Sequence, residues 1–219
     1  MNQRLIAEIG KSQRLQIVTR IKRSEGGLSV GELAEVLQMS YMGVKQHCLD
    51  LEKRGYLDVT RRPKPSGTTG RPELVYRLTA KAQELFPKEN NETTLEVLQA
   101  AQTLYGPSAP EKLLFLAFQR KAEQYARRVS GQTLLELARS YVAIRDEEGY
   151  MAELVCDEEG HPLRIVEHHT PIFTLLEAYP ALLHRLEQEM VSRVLNVPVR
   201  REKKGECAPY SCIFHLEPV

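Results

Sequence analysis

Two groups of side chains in this 219-residue sequence have types and spacings suited to chemistry. The first is Ser40, Tyr41, Lys45, Gln46 and His47, followed by Arg61, Arg62, Lys64, Thr68, Thr69 and Arg71. A glutamine amide pairs bidentately with adenine, and an ammonium donates to guanine or to phosphate. Guanidinium and hydroxyl groups on a flexible, Gly-containing tip suit phosphate contact or insertion of Arg into a minor groove. The second group is His168, His169, Cys207 and Cys212, with Cys156 and His161 as outliers. Imidazoles and thiolates are the ligands that zinc or an iron-sulfur cluster takes.

The elements that must position the first group can be read from periodicity. From residue 12 to 23, apolar Leu15, Val18 and Ile21 recur every three residues, which predicts a helix that Gly26-Gly27 ends. Ser29 and Glu32 form an S-x-x-E capping box for a second helix, with Leu33, Val36 and Leu37 as its inward face. After the short QMS turn, Ser40 caps a third helix running to about residue 54. Val44, Cys48 and Leu51 make its buried stripe, and Tyr41, Lys45, Gln46 and His47 point outward near its start. Gly55 stops it, 56–62 reads as a strand, 63–70 as a turn-rich tip and 74–78 as a returning strand. Thr79 then caps a further helix, AKAQELF. Two helices joined by a tight turn and followed by a hairpin make a winged helix-turn-helix, which puts residues 1–87 in a duplex-DNA-binding domain. A plain helical bundle with a solvated polar face, and a wing that docks an acidic protein, are the alternatives.

The stretches LAEVLQMSYMGVKQHCLDLEKRGYL and TTGRPELVYRLTAKAQELFP resemble the ArsR-like winged-helix regulators, and within them the branch of SufR-type repressors of iron-sulfur cluster assembly. The run from Gly70 to Thr79, G-R-P-x-x-x-Y-x-L-T, is the most specific part, and the likeness continues weakly to the C-terminus. The resemblance implies a homodimer on a two-fold operator, acting as a transcriptional repressor. It also implies control by a ligand or cofactor in the C-terminal domain. In that branch a Cys of an H-N-C-P motif joins a C-terminal Cys pair to hold the cluster. Here the motif reads His168-His169-Thr170-Pro171, so Thr170 stands where the Cys belongs, while the pair survives as Cys207 and Cys212 in a shortened loop. A metal site built on His169, Cys207 and Cys212 would therefore need an unusual ligand set. The two thiols can equally be packed remnants or an oxidisable dithiol, so the cofactor stays unassigned.

Composition agrees with a two-part molecule. The chain is 42% hydrophobic and 27% charged, and its formal net charge of +1 hides an N-terminal block of +6 over residues 1–86 and a C-terminal block of −5. No apolar run is long enough to span a membrane and the N-terminus lacks the apolar core of a secretory signal, so a cytoplasmic protein without membrane contact is expected. Residues 88–130 read as a helical linker and dimerisation region, with helices at 93–105 and 110–128. The segment LLFLAF is apolar nearly all round and belongs in the core or against a partner chain. Residues 131–219 read as an α+β effector or sensor domain. Its expected order is a helix around Leu134–Tyr141, strands at 150–156 and 163–168, helices after Pro171 and Pro180, and strands at 199–203 and 212–216. The sequence lacks a Gly-rich phosphate loop, a nucleophile elbow and a paired acid/base setting, which points away from an enzyme and toward a regulator, with a small molecule as its possible effector.

Overall fold

A computed structural model of the chain describes residues 13–24, 26–62, 72–86, 91–203 and 211–217, with Pro162 and Leu163 described by backbone alone. Of the candidate residues, Lys64, Thr68, Thr69, Arg71 and Cys207 lie outside the described set. The fold is α+β, and the chain divides after Phe86 into two compact units.

The first unit begins with α1 (Gln13–Arg23), a two-residue strand β1 (Leu28–Ser29), α2 (Val30–Leu37) and α3 (Tyr41–Lys53). Strands β2 (Leu57–Arg62) and β3 (Glu73–Leu78) form an antiparallel hairpin, and β1 adds to the far side of β3, giving the order β1-β3-β2. Gly27 allows that addition: its φ is +93°, and a Cβ there would lie 2.5 Å from the Tyr76 carbonyl oxygen. The expected capping box is present, with Glu32 N donating to Ser29 Oγ at 3.3 Å and Ser29 N donating to Glu32 Oε2 at 2.8 Å. Such a cap stabilises a helix by about 1 kcal/mol.

Three sequence expectations for this unit need correction. Val36 is 46% exposed and the buried residues of α2 are Val30 and Leu33, because the eight-residue helix presents only its N-terminal turn to the core. On α1 the buried set is Ile17, Val18, Ile21 and Lys22, with Leu15 only half-buried. The helix after Thr79 is 3₁₀ rather than α, spanning Ala80–Leu85, and the Thr79 side chain does not cap it. Its hydroxyl instead donates to the carbonyls of Gly55 and Tyr56, tying that turn to the start of β2.

Residues 88–130, expected as a helical linker and dimerisation region, supply α4 (Glu92–Tyr105) and α5 (Ala109–Arg128) to the second unit. It continues with α6 (Leu134–Glu147), β4 (Ala152–Cys156), β5 (Pro162–Glu167), α7 (Phe173–Ala178), α8 (Pro180–Leu195), β6 (Val199–Lys203) and β7 (Cys212–Leu216). The four strands are antiparallel in the order β4-β5-β7-β6. Ile165, Phe214, Leu216 and Val199 from the sheet meet Tyr125, Tyr141, Met190 and Val191 from the helices in the main core. A second cluster joins Leu98 and Leu114 to Leu175, Leu183 and Leu186. The first strand starts two residues later than its sequence pattern suggests, because Met151 adopts a left-handed φ of +52° and breaks the extended run after buried Tyr150.

Candidate nucleic-acid interface

Helix α3 owes its orientation to three apolar positions. Val44, Cys48 and Leu51 are between 0% and 3% exposed and follow the 4,3 spacing that places them on one stripe. Burial with Glu52 nearby pushes the Cys48 thiol up to about 12, so it is a packed core group rather than a reactive thiolate. Ser40 accepts a hydrogen bond from Gly43 N at 3.1 Å and fixes the start of the helix. The entry turn is tight: Gln38 takes a left-handed φ of +53°, and Met39 N donates to the Ala34 carbonyl at 3.0 Å.

With the stripe turned inward, Lys45 and Gln46 are exposed, and Tyr41 is 54% exposed at the first turn. His47 is half-buried at the edge, its Nε2 lying 2.9 Å from Gln13 Oε1 on α1, so it serves first to join two helices. The residue that sequence reading passed over is Met42, 69% exposed. A step of 100° per residue puts Met42, Lys45, Gln46 and Leu49 on the face opposite Val44 and Leu51, and Leu49 is itself 43% exposed. The signal was in the spacing, but attention to polar groups alone hides an apolar residue at the centre of a solvent face.

At the base of the hairpin the two arginines separate. Arg61 is exposed. Arg62 Nη2 lies 2.7 Å from both Glu32 Oε1 on α2 and Glu73 Oε2 on β3. Against the opposing effect of burial, the Ser29 backbone hydrogen bond and then Arg62 hold the Glu32 carboxyl below its usual range, Arg62 does the same for Glu73, and the two carboxylates raise the guanidinium. Arg62 therefore holds the hairpin to α2, and an approaching phosphate would have to compete with two carboxylates.

Lys22 on α1 reaches the segment that follows the hairpin. It is buried, its Nζ donates to Gln83 Oε1 at 2.9 Å and sits 3.8 Å from the Phe86 ring centroid, and burial lowers its pKa to about 7. Because the folded state depresses this base, the unfolded chain holds a proton above neutrality that the folded chain has released. Stability of the first unit should thus be flat at its lower level below pH 7 and rise with pH from about 7 toward 10.5. The slope is at most about 1.4 kcal/mol per pH unit for one proton. Urea unfolding across that range checks this, and Lys22→Met should abolish the rise.

The proposed metal ligands are placed differently. His168 and His169 are 2% and 1% exposed, and Cys212 is 4% exposed with its Sγ 3.9 Å from Glu167 Oε2. Burial, then the Glu167 and Glu187 charges, raise that thiol well above its ordinary value, which opposes the thiolate a metal needs. Thr170 is buried, and its hydroxyl has no hydrogen-bond partner among the described residues. Among the described residues neither His169 nor Cys212 joins a three-ligand grouping, and Cys207, the third residue of the expected set, lies outside them. The grouping that does form, Asp157, Glu159 and His161, lies at the β4-β5 turn and is mostly exposed. Asp157 is spent on the turn itself, accepting from the backbone of Glu159 and His161. The outlier Cys156 is half-buried at the end of β4.

What surrounds Cys212 is an ionic network that sequence reading did not anticipate. Arg145, 1% exposed, donates to both oxygens of Glu167 at 2.6 and 2.9 Å and to the Tyr125 hydroxyl at 3.1 Å, and its guanidinium lies 3.2 Å from the Tyr150 ring centroid. Glu187 approaches Arg145 at 3.9 Å and Arg201 at 3.2 Å. Two cations and two carboxylates thus balance in the core. Comparison of the chain with family models, curated proteins and solved structures returned no significant match.

Proposed function

We propose that the first unit is a winged helix-turn-helix that binds duplex DNA, and that the chain is a dimeric transcriptional regulator, most simply a repressor. The observation that carries the reading is the geometry of α3. Its apolar stripe is buried, its outer face presents Lys45 and Gln46, and a basic hairpin follows it directly. The +6 charge of residues 1–86 supplies attraction to phosphate without sequence preference. In this reading Gln46 and Lys45 read base edges, and Arg61 positions the protein on the backbone.

Pairing is assigned to α4 and α5. Val97 and Leu104 on α4 and Leu113, Phe115 and Leu116 on α5 are all more than 40% exposed, a concentration of large apolar groups uncommon on a monomer surface. A second copy brings two α3 helices to a two-fold site. A ligand of the second unit that altered this pairing would alter half-site spacing and hence affinity.

Binding of the full chain to random duplex, measured at rising salt, tests the reading. Affinity should fall steeply with salt, and a selected sequence should bind more tightly than the random pool. Gln46→Ala should relax preference at one base pair, losing about 1–3 kcal/mol of discrimination there while leaving random-duplex binding intact. Absence of salt-sensitive duplex binding would return the choice to a protein-docking module.

A further inference from the structure

The outward face of α3 carries apolar groups among its polar ones. Met42 is 69% exposed and Leu49 43% exposed, seven residues apart, and Lys45 and Gln46 lie between them on the same face. The other apolar residues with large side chains on this helix, Val44 and Leu51, are buried, so the helix had an inward stripe on which to place its methionine. A flexible thioether there forgoes burial and fills no core gap. Met42 follows Tyr41 directly, in the first turn, the part of such a helix that comes nearest base edges.

Resting on the DNA-binding reading, we propose that Met42 is a specificity residue that packs against the 5-methyl group of a thymine in the major groove. The methyl is the one apolar feature that a base pair displays there, and it distinguishes thymine from cytosine at the same edge. Charge selects nucleic acid over an apolar protein surface as the occupant: Lys45 and Lys53 share this side of α3 against one exposed carboxylate, Glu52, and residues 1–86 carry a net +6. Gln46 stands one helical turn from Met42, about 6 Å along the axis. Given about 3.4 Å between bases along a strand, the thymine read by Met42 lies one or two base pairs from the base read by Gln46.

The experiment takes a duplex selected by the full-length protein and replaces its thymines by deoxyuracil one at a time, which removes the methyl and leaves every hydrogen-bonding group in place. Wild-type affinity should fall about fourfold at one thymine per half-site, the loss of a buried methyl group. Met42→Ala should bind the unmodified duplex correspondingly more weakly and show no response to uracil at that position. Met42→Leu should retain the response. Melting curves matching wild type confirm that the exposed substitution leaves the fold intact. A wild type indifferent to every uracil, or a Met42→Ala protein that still loses fourfold at the same position, overturns the inference while leaving DNA binding standing. A chain that binds no duplex overturns it together with the reading beneath it.

Discussion

Replacing Arg145 by alanine should lower the unfolding free energy of the second unit by about 3–5 kcal/mol, the cost of leaving a buried carboxylate without its partner. The guanidinium makes a two-pronged pair with Glu167, donates to Tyr125 and covers Tyr150, and Arg145 and Glu167 are each 1% exposed. Removing it strands Glu167, with Glu187 close enough to add repulsion. The Tyr125 hydroxyl offers little relief, since it already donates to Glu148. Replacing both partners should behave otherwise: Arg145→Met combined with Glu167→Leu removes the stranded charge and should recover most of the loss. Urea unfolding followed by circular dichroism distinguishes these outcomes. A single substitution costing under about 1 kcal/mol would show the pair to be no more than a surface bridge.

Glutamates at positions 104 and 116 should convert a dimer into a monomer and weaken binding to a two-fold site by about 100-fold or more, since the second half-site is then no longer held at high effective concentration. Leu104 is 73% exposed and Leu116 is 51% exposed, so neither supports the core of its own chain. The inner residues Leu98 and Leu114, at 4% and 5%, do that. Thermal melting at low protein concentration should change little, and sedimentation should report the loss of the larger species. A wild-type chain already monomeric at micromolar concentration would remove the assignment, whatever its DNA binding.

Much of the fold was legible in the sequence because its elements announce themselves locally. The 4,3 spacing of Val44, Cys48 and Leu51 gives both the existence of α3 and its inward face. The capping boxes at Ser29 and Thr133 mark two helix starts. The strand pattern of 56–62, the turn-rich tip after it and the alternation of 74–78 give the hairpin. What escaped notice depends on contacts distant along the chain. Arg145, Glu167, Glu187 and Arg201 sit among many charged residues with no local pattern, and only the packing of α6, α8 and the sheet brings them together. Strand β1 is two residues long and exists because β3 offers it an edge. Val36 was misplaced because an eight-residue helix can satisfy its periodicity without burying its last turn. For the interface, the polar members were found by type, and Met42 was missed for the same reason.

In the duplex-binding reading proposed above, the two carboxylates on Arg62 also bear on how strongly the hairpin would grip a phosphate backbone. A guanidinium already neutralised by Glu32 and Glu73 has little net charge to offer a phosphate, so its engagement displaces few condensed counterions. The number of ions released on binding should therefore fall short of the number of basic residues in the hairpin. In that reading the stem is a mount, and the electrostatic grip is left to side chains without a carboxylate of their own.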